Sequence, residues 1–95
     1  MEKINISNLT NTLSLKPKVI YNFNTTTISL PSGLSSLFNL DTSYQQNDKS
    51  DIITIENLTI NLNIKLFTDN NLKYIRFINC DISGFTGELI SSNSI

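Results

Sequence analysis

The chain has no histidine, no tryptophan and no alanine, and only one cysteine, one valine and one arginine. Each absence excludes something. General acid–base catalysis near neutral pH most often uses histidine, so Ser–His and Cys–His nucleophilic pairs cannot form within this chain. Structural zinc sites draw on several Cys and His ligands, and Cys80 stands alone. A single cysteine also excludes an intramolecular disulfide, and with it a disulfide-stapled domain. Cys80, between Asn79 and Asp81, reads as a small, half-buried core residue. The three glycines, Gly33, Gly84 and Gly87, are too scattered for a phosphate-binding loop. Asp41, Asp48 and Asp51 lack the alternating ligands and turn glycine of a calcium loop. No catalytic, metal or cofactor site is expected, and the chain reads as a non-enzyme.

Charge is scarce as well. Seven Lys plus Arg against eight Asp plus Glu leave a formal charge of −1 over 95 residues. Neither nucleic acid nor an anionic membrane is an expected partner. No apolar run approaches the ~18 residues of a membrane helix. Met1-Glu2-Lys3-Ile4-Asn5 lacks the charged-then-apolar signal pattern.

What is abundant is amide, hydroxyl and aliphatic. Asn, Ser and Thr number 36, and Ile plus Leu number 26. Without alanine, this mixture favours strands and turns over helices. The length suits one β-rich domain. The bias toward Asn, Ile, Lys, Phe and Tyr resembles proteins of AT-rich genomes, many phages and viruses among them.

Residues 1–15, with Ile4/Ile6 and Leu13/Leu15 alternating, read as two short strands or an extended arm. Val19, Tyr21 and Phe23 alternate as a strand. Ile28 and Leu30 continue an alternation that ends at Pro31. Ser32 as a cap, with Leu34, Leu37 and Phe38 at helical spacing, predicts one short helix near 32–39. Residues 41–51 form a polar loop with Tyr44 as its one aromatic.

The clearest signal is Leu58, Ile60, Leu62, Ile64 and Leu66, five consecutive matches to period two. A turn composition at Thr68–Asn71 and an apolar return at 72–78 predict a β-hairpin at 58–78. Its register sets Leu62, Ile64, Ile75 and Phe77 inward. Asn61, Asn63, Lys65, Tyr74, Arg76 and Ile78 lie outward. Ile82, Phe85 and Leu89-Ile90 read as a last partial strand.

Leu72, Ile75, Phe77, Cys80 and Ile82 together resemble one leucine-rich repeat. Ile53, Ile55, Leu58 and Ile60 stand upstream in the same internal spacing as Ile75, Phe77, Cys80 and Ile82, one plausible repeat length away. The resemblance implies a solenoid with residues 53–55 and 75–77 as parallel neighbours. One step further back, the frame lands on Pro31, Gly33, Ser36 and Phe38. Because stacked repeats need at least three units, the hairpin is preferred.

The expected fold is therefore all-β: a small antiparallel sandwich or curled sheet, with the hairpin at 58–78 and a short helix near 32–39. The expected function is a structural subunit of a larger assembly, a small virion protein of a phage or virus. It would be oligomeric, partnered by copies of itself or other assembly proteins, and located in the virion or host cytoplasm without secretion through a signal peptide. A small monomeric module acting on a host protein is the alternative. The candidate interface is Tyr44 with Asn61, Asn63, Lys65, Tyr74, Arg76 and Ile78.

Overall fold

The computed structural model describes residues 1–24, 33–61, 63–67 and 71–84. Among these, nine short strands run in chain order: β1 (Glu2–Asn5), β2 (Leu13–Leu15), β3 (Val19–Asn22), β4 (Ser36–Leu40), β5 (Ile53–Glu56), β6 (Thr59–Asn61), β7 (Lys65–Phe67), β8 (Ile75–Ile78) and β9 (Asp81–Ser83). The all-β class expected from composition is the class adopted. The antiparallel arrangement is not: every strand pairing among the described residues is parallel.

The strands form three sheets, in the orders β1-β3-β5-β8, β2-β4-β7 and β6-β9. None of these pairs is consecutive in the chain. The backbone therefore winds in coils, and each coil adds one strand to a sheet before the next begins. The first coil contributes β1 and β2, the second β3 and β4, the third β5, β6 and β7, and the fourth β8 and β9. This is a parallel β-solenoid. The segment read as two strands or an arm supplies β1 and β2.

The predicted hairpin at 58–78 does not form. β6 and β7 belong to different sheets, with a bend at Asn63. Ile75 lies beside Ile53, and Phe77 beside Ile55, in parallel register. This is the neighbour relation that the repeat-like spacing implied. The alternation itself is kept: Leu58, Ile60 and Leu66 are buried, while Asn61, Asn63 and Lys65 are exposed. Alternation reports which side of the backbone meets the core. It is the same for a straight strand and for one that turns a corner around that core.

The predicted helix near 32–39 is also replaced, by β4. A helix of about eight residues is marginal without tertiary support, because nucleation is costly. As a strand, Ser36–Leu40 instead bonds to β2 on one side and β7 on the other. Phe38 then packs between Phe23, edge to face with ring centroids 6.0 Å apart, and Phe67, tilted with centroids 5.5 Å apart. Around these rings lies one apolar core that includes Leu15, Tyr21, Leu40, Ile53, Ile55 and Leu58. Ile53, Thr54 and Ile55 are all fully buried, as expected for a central parallel strand covered on both faces. The expected alternation at Ile28 and Leu30, the inward Leu62, the turn at 68–70 and the last strand beyond Ile82 lie outside the described residues.

Tyr21 places a titratable group in this core. Its hydroxyl oxygen accepts a bond from the Lys16 backbone N–H at 2.8 Å. Burial raises its pKa above the ordinary 10.0, with the Lys16 bond opposing. A raised phenol pKa means the fold favours the neutral form. The associated stability is complete below about pH 10 and is lost as pH rises through the folded value. Tyr21→Phe is expected to lower stability by about 1 kcal/mol at neutral pH, through the lost acceptor. It should also flatten the decline above pH 10, as read from urea midpoints across that range.

Candidate functional site

Two parts of the molecule are built from polar side chains in defined geometry. The first is a ladder of asparagine amides at one end of the four-stranded sheet, where Asn5 and Asn22 close β1 and β3 and Asn57 and Asn79 directly follow β5 and β8. Asn22 Nδ2 donates to Asn5 Oδ1 at 2.9 Å. Asn57 Nδ2 donates to Asn22 Oδ1 at 2.8 Å, and Asn79 Nδ2 to Asn57 Oδ1 at 2.7 Å. One amide from each coil thus forms a continuous chain of bonds. Such ladders are a known source of stability where identical side chains stack on parallel strands. Asparagine also suits the positions just past β3, β5 and β8. Asn24, Asn57 and Asn79 have φ of 58°, 61° and 52°, and asparagine enters that left-handed region more readily than most residues. Backbone bonds from Ile6 N to Asn22 O and from Asn57 N to Ile78 O continue the pairing beyond the strand ends.

The second is the polar loop, which is more ordered than its composition suggests. Gln46 is 2% exposed, and its amide is fully engaged by backbone. Nε2 donates to Asp51 O at 2.8 Å and to Tyr74 O at 2.7 Å. Oε1 accepts from Lys73 N at 2.8 Å and Tyr74 N at 3.1 Å. The side chain acts as a short piece of strand beside the entrance to β8. A single 3-10 turn at Lys49–Asp51 closes the loop, capped reciprocally by Asp48 and Asp51. Bonds from the Ser50 side chain and backbone hold the Asp48 carboxyl below its usual pKa. Lys18 Nζ lies 3.8 Å from Asp51 Oδ1.

Beside Gln46 lies an open cleft of about 310 Å³ lined by Leu40, Thr42, Tyr44, Gln45, Asn47 and Lys73, among others. Tyr44 is 43% exposed, with the Lys16 ammonium 6.0 Å from its ring centroid.

The structure does not gather the predicted interface residues on one face. Tyr44 stands at the cleft, and Tyr74 precedes β8 with its backbone bound to Gln46. Arg76 and Ile78 lie on β8, the outer strand of the four-stranded sheet, where Arg76 donates to Thr54 Oγ1 at 3.0 Å. Ile78 is 42% exposed. Asn61 and Lys65 belong to the other two sheets, with Asn63 in the bend between them. The antiparallel hairpin would have set Lys65 against Tyr74, Asn63 against Arg76 and Asn61 against Ile78; β8 pairs with β5 instead, and these contacts do not form. Sequence reasoning missed Gln46, Asn5, Asn22, Asn57 and Asn79. The ladder asparagines carried one signal, since Asn57 and Asn79 share the offset that relates Ile53 to Ile75 in the repeat-like pattern.

Cys80 is half-buried, and its thiol lies 3.5 Å from Ile55 O and 3.4 Å from Ile78 O. Among the described residues, no group of three His, Cys, Asp or Glu side chains could hold a metal ion. Nor, among them, is any helix long and apolar enough to cross a membrane. No family model matches the chain, and no curated protein or solved structure matches it.

Proposed function

We propose that the chain is a non-catalytic subunit of a larger assembly that joins its partners through the ends of its solenoid. The observation that supports this is the pair of outer strands, β1 and β8. Among the described residues, neither pairs with another strand on its outer side. Such edges present unpaired N–H and C=O groups and template further strand pairing. Solenoids that stay monomeric need terminal repeats with a polar outer face. Here Ile4, Ile6 and Leu13 at one end, and Ile75, Phe77 and Ile82 at the other, are only partly buried against the core. Within this reading, a small virion protein is the class put forward, on the composition bias alone. Light scattering over a wide concentration range, with and without purified particles, tests the assembly reading. Self-association or particle binding is expected; an inert monomer with neither overturns it.

The cleft at Tyr44 favours a second reading, a monomeric module that binds one host protein by shape. Tyr44→Ala would then abolish capture of one stoichiometric partner.

A further inference from the structure

We infer that copies of this chain stack head to tail, the Asn5 end of one against the Asn79 end of the next, by continuing the amide ladder. The inference rests on the assembly reading and specifies its contact. The ladder has a direction: each amide donates to the coil before it, from Asn79 to Asn57 to Asn22 to Asn5. Its two ends are therefore unlike. Asn5 keeps its Nδ2 hydrogens, and Asn79 keeps its Oδ1, and neither atom has a hydrogen-bond partner among the described residues. Both residues are exposed. Moved along the solenoid axis, a second copy brings donor to acceptor, as between successive coils within one chain.

The rest of the end surface fits the same placement. Translation keeps β1 of one copy parallel to β8 of the other, as in the pairings of the four-stranded sheet. The inward column Ile4, Tyr21, Ile55, Phe77 then continues with Phe77 against the next copy's Ile4. Two like ends brought together fit worse, because Asn79 carbonyls would face each other, or Asn5 amino groups would. The same register sets Arg76 beside the next copy's Lys3, a like-charge contact. Lys3 is already held by Glu56 at 2.7 Å, and Arg76 by Thr54. The remaining repulsion gives the contact a signature, since association should strengthen as salt screens it. A head-to-tail contact of unlike surfaces related by translation along the axis does not close on itself, so it yields an open series and not a dimer.

Sedimentation velocity on the full chain, across concentration and salt, tests this. The wild type is expected to form a concentration-dependent series beyond the dimer, favoured by salt. Asn5→Asp keeps an acceptor for Asn22 but removes the hydrogens offered to Asn79, and should weaken association at least tenfold with circular dichroism unchanged. Asn8→Asp, which adds the same charge outside the ladder, should leave association unaltered. Association that ignores Asn5→Asp, or that stops at a dimer, overturns the ladder contact and leaves the assembly reading standing. A monomer at all concentrations overturns the stacking. It overturns the assembly reading too only if particle binding is also absent.

Discussion

Phe38→Ala should lower stability by about 3–5 kcal/mol, the usual cost of emptying a fully buried aromatic site. Phe38 has no exposed surface. It sits in the middle strand of the β2-β4-β7 sheet and touches the rings of Phe23 and Phe67. Those rings come from the second and third coils, so the lost side chain loosens one coil against the next. A domain of this size has a total stability of about 5–14 kcal/mol. The loss is thus a large fraction of the whole, and Tm should fall by at least about 12 °C. Thermal and urea unfolding read the effect. A shift under about 1 kcal/mol would contradict the central position of Phe38 in the core. In the expected helix, Phe38 would have been one of several residues on an apolar face, with no ring cluster to break.

Gln46→Glu should cost about 1 kcal/mol in acid, where a protonated carboxyl donates to only one of the two carbonyls that Nε2 now serves, and more at neutral pH. The substitution preserves shape, but one carboxylate oxygen then faces the carbonyls of Asp51 and Tyr74, which now accept from Nε2. A buried carboxylate against two carbonyl oxygens favours its protonated form, so its pKa rises in the fold. The stability it contributes is therefore complete below the unfolded value of about 4.3 and is lost as pH rises through the folded value. At pH 7 the expected loss is about 2–4 kcal/mol, from the buried charge and two unpaired carbonyls. Urea midpoints at pH 4 and pH 7 check this. A variant equally stable at both would show that the Gln46 contacts are not maintained in solution. Gln46→Ala serves as the reference, destabilised without a pH slope of its own.

The contrast between these two residues shows what could be read from sequence. Phe38 was recognisable as apolar and core-directed under either secondary structure, and so were Leu58, Ile60 and Leu66. In-or-out patterning depends on the residue itself. Partnership depends on residues far along the chain, and here the coil lengths are unequal. Glu2 pairs with Val19, Ile20 with Thr54, and Ile53 with Ile75. The second of these spans is twice the first, and the third falls between them. A frame fixed at the Ile53-to-Ile75 offset finds the last pairing and then lands on Pro31, because the preceding coil carries the additional length of the 41–51 loop. Gln46 was illegible for a related reason. Nothing in a run of polar residues distinguishes the one amide that four backbone groups will enclose.

Those pairings also bear on how the molecule forms and comes apart. Even the ladder closest in sequence, Glu2 to Asn5 against Val19 to Asn22, spans a whole coil, so no short hairpin is available among the described strands to nucleate the sheets. High contact order of this kind predicts slow folding, limited by loop closure and not by local propensity. Once two coils have docked, each further coil adds against an existing template, as in other linear arrays. Unfolding runs in reverse. Amide hydrogens in β3 and β5, bonded to neighbours on both sides, should exchange last, and those of β1 and β8 first.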